Sequence, residues 1–150
     1  MSFAIEEYAE DALVKYLKNE IDDAALNVYT AWTNDEIKYP CAVVHAGSSS
    51  NLDGVNFNGV RDVKIQIAVM TEAADSGGKT ARELNRAARD LVIKALAQSS
   101  LHDDINDLDP DGVVFSLAYI GDMTRSVESD NRVFASEIQL ITIAAPKELV

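Results

Sequence analysis

The sequence predicts one α+β domain over residues 1–150: a mainly antiparallel, mixed β-sheet with two principal helices packed on one face and a long C-terminal β-hairpin. Three observations carry this. Apolar residues recur at helical spacing over residues 3 to 20 and again over 81 to 98. Residues 62 to 71 alternate apolar and polar with the two-residue period of a half-buried strand. Two long apolar runs near the end are joined by a polar segment, the pattern of a ribbon. The order helix, strand, strand, strand, helix, strand, strand sets helices apart on an antiparallel sheet. A chain of 150 residues fits one domain, and at that length folding buries roughly 70% of the surface the unfolded chain exposes.

Each element follows from its residues. Ile5, Tyr8, Ala9, Ala12, Leu13, Tyr16 and Leu17 line one side of the first helix, with Glu6, Glu7, Glu10, Asp11, Lys15 and Lys18 on the other. Two short strands follow, "ALNVYTAW" with Leu26, Val28, Thr30 and Trp32 alternating, and "CAVVHA" directly after Pro40. Between Ala46 and Arg61, "GSSSNLDGVNFNGV" reads as a long loop or an extended hairpin arm. In the next strand Val63, Ile65, Ile67 and Val69 share one face, Lys64 and Gln66 the other. The helix from Ala81 to about Gln98 is expected to bury Leu84, Ala88, Leu91 and Ala95, flanked by Ala87, Val92 and Leu96. An acidic loop, "HDDINDLDPDG", leads to "VVFSLAYIGD" and "RVFASEIQLITIAA", joined by "MTRSVESDN".

Charge and composition narrow the functional classes. Twenty-five acidic against 13 basic residues give −12, the wrong sign for gripping nucleic acid or an anionic membrane, since both depend on cationic side chains. No apolar run approaches the roughly 20 residues of a membrane span, and the acidic amphipathic start is unlike a signal peptide, so a cytoplasmic protein is expected. Cys41 is the only cysteine, which leaves no internal disulfide and no cysteine-based zinc site.

Several short motifs invite a catalytic reading. "AADSGGKT" lies between a strand and a helix, and Gly78-Lys79-Thr80 match the end of a phosphate-binding loop. Ala73 replaces the first glycine, Asp75 puts a negative charge where phosphates would sit, and the preceding strand alternates where such loops follow fully buried parallel strands. A capping box of Thr80 and Glu83 explains the same residues, stabilising the helix by about 1 kcal/mol. In "DLDPDG", Asp107, Asp109, Asp111 and Gly112 imitate the start of a calcium loop, but its twelfth position is Ala118 rather than a bidentate Glu. His45 and His102 have no partner at a recognisable spacing, and Cys41 and His45, four apart on a strand, lie more than about 10 Å from each other. No metal, cofactor or catalytic set is therefore expected. A small nucleotide-binding enzyme using Gly78-Lys79-Thr80 and a monomeric adaptor or calcium-responsive module stand as alternatives.

One basic stripe stands out on this acidic chain. Arg82, Arg86 and Arg89 fall on one flank of the second helix, with Ile93 continuing the line. Either it is a solvated face with local pairs such as Arg86 with Asp90, or it is a subunit interface meeting acidic residues of a neighbouring copy, for which Glu6 and Glu10, with Glu7 and Asp11, offer a surface.

Taken in order, the amphipathic first helix, "YPCAVVHAG", "VRDVKIQIAVMTEAADSGGKTARELNRAARDLVIKAL" and the ribbon "VFSLAYIGDMTRSVESDNRVFASEIQLIT" resemble the tail terminator or tail completion proteins of long-tailed bacteriophages, over nearly all of residues 3 to 145. The acidic N-terminus and the acidic segment 102 to 111 have no counterpart in that pattern. The resemblance implies a structural virion protein, not an enzyme: a homo-oligomeric ring, usually a hexamer, at the head-proximal end of the tail. Such a ring stops polymerisation of the tail tube protein and joins the tail to the head-completion or connector protein. It implies assembly in the host cytoplasm, and with −12 on each copy such a ring is expected to have an acidic lumen that DNA passes without specific binding. On this reading the loop from Ser48 to Gly59, with Asn51, Asp53, Val55 and Phe57, and the ribbon tip from Met123 to Asn131, with Arg125 and Glu128, contact tube or connector.

Overall fold

The first apolar stripe forms α1 over Ile5–Glu20, with Glu6 and Glu7 in the first turn and Lys18 in the last, each at the end of the helix dipole that favours its charge. The computed structural model describes residues 5–31, 33, 36–51, 61–72, 80–98, 101–108, 112–126 and 133–146. Tyr8, Ala9, Ala12, Leu13, Tyr16 and Leu17 are buried as their spacing predicts, and Val14 joins them. Glu10 departs from expectation. It is 2% exposed and belongs to the packed side of the helix, not to its polar side.

After α1 the chain turns on Asp22, whose carboxylate accepts from the Ala24 N–H at 3.0 Å and whose carbonyl accepts from Ala25 and Leu26. That turn feeds β1, Asn27–Thr30, with Leu26 and Val28 buried; Trp32 lies outside the described residues. β2, Cys41–Asn51, runs parallel to β1, Asn27 opposite Cys41 and Thr30 opposite Val44. A parallel neighbour requires the chain to return along its own length. The return is tied to β1 by side chains: Asn27 Nδ2 donates to the Lys38 carbonyl at 3.1 Å, and the Tyr29 hydroxyl accepts from the Lys38 N–H at 3.2 Å.

β3, Arg61–Glu72, pairs antiparallel with β2 from Cys41–Met70 out to Asn51–Arg61, with a register shift between Ala46 and Ser48. Residues 47 to 51 are therefore an arm of the hairpin and not a loop. Ser and Gly pair here because the ladder is made by the backbone, and the strongly alternating β3 supplies the template. Asn51 ends β2, while Asp53, Val55 and Phe57 lie outside the described residues. Val63, Ile65, Ile67 and Val69 are buried and Lys64 and Gln66 exposed, as the alternation predicts.

α2 spans Ala81–Leu96, and its buried line is Ala81, Asn85, Ala88, Val92 and Ala95. Leu91, expected inside, is 36% exposed. The acidic segment read as a loop instead opens with α3, Leu101–Leu108, because Leu101 and Ile105, one turn apart, both reach the core. β4, Gly112–Ser126, and β5, Val133–Pro146, form the C-terminal hairpin, with register shifts at Val114/Ser116 and Tyr119/Gly121. β4 runs further than its apolar stretch, so Arg125 stands on the strand opposite Ala135 and not in the tip; Glu128 lies outside the described residues.

The sheet order is β1-β2-β3-β5-β4, with β1 parallel and every other pair antiparallel, so the fold is α+β with a mixed sheet and a long C-terminal hairpin. α1 and α2 cover the face that carries Val44, Ile65, Ile67, Val69, Ile138 and Leu140, and α3 packs beside α1. Each of these fully buried aliphatic side chains stabilises the fold by roughly 1.5–3 kcal/mol relative to exposure.

Candidate assembly surface

The start of α2 settles what Thr80 does. Its side chain accepts from the Glu83 N–H at 3.2 Å and its own backbone is extended, so it is the N-cap. The return contact of the predicted capping box runs to the hydroxyl, with Glu83 Oε1 3.5 Å from Thr80 Oγ1. Gly78 and Lys79 lie outside the described residues.

From this cap α2 lies down on the sheet through a buried polar joint. Asn85, 2% exposed, donates from Nδ2 to the Val69 carbonyl at 2.7 Å and the Phe134 carbonyl at 3.1 Å, and its Oδ1 accepts from the Ser136 hydroxyl at 2.7 Å. Thr71 adds a bond from its hydroxyl to the Ala81 carbonyl at 2.6 Å. Sequence reading missed Asn85 by following the leucines. The signal was a small-residue line, Ala81, Ala88 and Ala95, with Asn85 and Val92 in step.

That rotation of α2 carries the arginine stripe onto a flank. Arg82 and Arg86 are exposed, Arg89 is half-buried, and with Asn85 and Phe134 they line a recess of about 70 Å³. Ile93, 38% exposed, continues the same flank. Among the described residues no ion pair joins Arg86 to Asp90. The acidic surface expected on α1 is smaller than its sequence suggests. Glu6 is half-buried, and the buried Glu10 accepts the Ala46 N–H at 3.0 Å while His45 Nδ1 lies 3.9 Å from the same carboxylate. Ala46 is where β1 has already left the ladder, since among the described residues the Ala31 N–H to the Val44 carbonyl is the last bond between the two strands. Glu10 thus takes the edge N–H that a longer β1 would have taken, and cannot offer its carboxylate to a neighbour.

At the opposite end of α1, the buried Tyr16 hydroxyl donates to the Ala95 carbonyl. Its acidity is pushed down, to a pKa of about 12, by burial first and then by the negative charges of Glu20 and Asp104. Glu20 ends α1 and Asp104 lies in the first turn of α3, so an acidic corner forms where these helices meet. A cleft of about 710 Å³ opens beside β1, lined by Lys18, Asn19, Asp22, Leu26 and Tyr29. Among the described residues, no group of three or more His, Cys, Asp and Glu could hold a metal ion, and no helix is long and apolar enough to cross a membrane.

No protein-family model matches this sequence, and no curated protein matches it. A solved structure does: a chain in the virion of a native gene transfer agent particle, with a TM-score of 0.65 and 22% identity over 96% of this chain and 99% of that one. The two share a fold from end to end. It is a fold that a virion component uses, which agrees at that level with the likeness to phage tail proteins.

Cys41 stands apart from this surface. It is fully buried at the start of β2, and burial pushes its thiol up to about 11, partly offset by a hydrogen bond from the Met70 backbone. At pH 8 the folded protein should react with a thiol reagent about 100-fold or more slowly than the chain in urea, because thiolate is the reactive form. The sign for stability follows: the folded state holds this proton more tightly, so stability is full below pH 9.0 and falls as pH rises toward 11. Urea melts at pH 8 and pH 10 measure the loss; equal labelling rates with and without urea would show the thiol to be accessible.

Proposed function

We propose that this chain is a structural virion protein that assembles into a ring, six copies in the phage arrangement, at the head-proximal end of a tail. There it caps the tube, stops its polymerisation and joins tail to head connector. The observation that carries this reading is the end-to-end match of fold to a chain of a virion particle, 96% of one on 99% of the other. The arginine flank, Arg82, Arg86, Arg89 and Ile93, supports it as one side of a contact between copies. An arm that extends to Asn51 supports it as a carrier of contact residues toward tube or connector. Six copies at −12 each give a formal −72; such a lumen repels passing phosphates over a Debye length of roughly 8 Å at physiological salt. The role is assembly rather than turnover, and no cofactor takes part.

Electron microscopy of tail tubes grown with and without the purified protein tests this. Added protein should give tubes of bounded length, each with a ring at one end. Replacing residues 52 to 60 by a short glycine turn should leave the fold intact by circular dichroism and abolish capping. Tubes that elongate freely in the presence of the unaltered protein would reject the capping role.

A further inference from the structure

We propose that the recess lined by Arg82, Arg86 and Arg89 receives a carboxylate from a second copy of this chain, supplied by the acidic corner where the end of α1 meets the start of α3. This rests on the ring reading and names the two surfaces that would close the ring. The recess is small, about 70 Å³, and its lining is cationic, with three arginines beside Asn85 and Phe134. Its floor is already committed, because Asn85 spends its amide on Val69, Phe134 and Ser136. Recognition therefore falls to guanidinium groups, which grip carboxylates in a planar two-point contact. Ile93, exposed farther along the same flank, adds an apolar contact beside the charges.

The acidic corner is the complementary surface. Glu20 and Asp103 are exposed and Asp104 is half-buried; Glu20 ends α1, Asp103 and Asp104 lie in the first turn of α3, and the two helices pack against each other. Lys18 is the cation nearby on α1. Within one chain the corner adjoins the far end of α2, at Ala95, about 13 Å along the helix from Arg86 at 1.5 Å per residue. One copy's corner is therefore not placed to fill its own recess. On a protein of net charge −12, two copies repel unless contact is made where guanidinium groups face acids. Because the two surfaces differ, the contact is head-to-tail and generates a ring if the rotation closes.

Two charge-reversed proteins test the contact: one with Arg82→Glu and Arg86→Glu, the other with Glu20→Arg and Asp103→Arg. In sedimentation at low salt and high protein concentration the wild type should self-associate, and each variant alone should associate at least about tenfold more weakly, the scale of a close interfacial charge pair. An equal mixture of the two should recover the wild-type oligomer, since each recess then meets a matching corner in an alternating ring. That recovery also shows that both variants are folded. Variants that associate like the wild type, or a mixture that does not recover, would overturn the contact while leaving the ring standing. A wild type that stays monomeric would overturn the contact too, and the ring would then be judged by the capped tubes alone.

Discussion

Asn85→Leu should be the most damaging single substitution on the α2 side of the fold, lowering stability by about 3 to 4 kcal/mol. The leucine fills nearly the same space, so the loss is polar. The Val69 carbonyl and the Ser136 hydroxyl lose a partner inside the protein, where water cannot replace it, and the half-buried Phe134 carbonyl loses one beside the recess. Urea unfolding measures the free energy, and the melting temperature should fall by roughly 6 to 16 °C for a domain of this size. The same joint sets the rotation of α2, and with it the aim of Arg82 and Arg86. On the proposed contact between copies, the substitution should weaken self-association as well. A loss under about 1 kcal/mol would mean that apolar contacts of Ala88, Val92 and Ala95 hold the helix without the amide.

Glu10→Ala should cost about 2 kcal/mol, while Glu10→Gln should cost less than half of that. Alanine leaves the buried Ala46 N–H with nothing to bond, at the point where β1 no longer covers β2. Glutamine still presents an oxygen to it and gives up only the charge facing His45. Thermal melts of the three proteins at neutral pH distinguish the cases: a Gln variant as unstable as the Ala variant would show that the charge, and not the hydrogen bond, holds α1 against the sheet.

Much of this fold is legible in the sequence, and the exceptions have identifiable causes. The alternation of Val63, Ile65, Ile67 and Val69 reads directly because one strand face packs and the other does not. α1 reads equally well except at Glu10, since periodicity sorts side chains by polarity and cannot see a backbone N–H left bare by a strand that ends early. On α2 the expected Ala88 and Ala95 are buried, but Leu91 is exposed and Asn85 lies inside, because a hydropathy count favours a leucine over an amide whose partners come from distant strands. α3 was hidden under its aspartates, because a helix of two turns draws its stability from the burial of Leu101 and Ile105 and not from propensity. Of the candidate surface, the arginine flank was visible as spacing. Its recess was not, because Phe134 comes from a strand 45 or more positions away in the chain and no local pattern announces such a meeting.

The place of β5 between β3 and β4 has a consequence for timing. Ribosomes deliver the chain at about 5–20 residues per second, and β3 must wait for the whole of α2, α3 and β4 to emerge before its second neighbour exists. Until then the amide joint under α2 lacks Phe134 and Ser136, and the arginine recess has no wall. A nascent chain therefore cannot offer that recess to anything, and the proposed contact between copies would be open only to finished polypeptides.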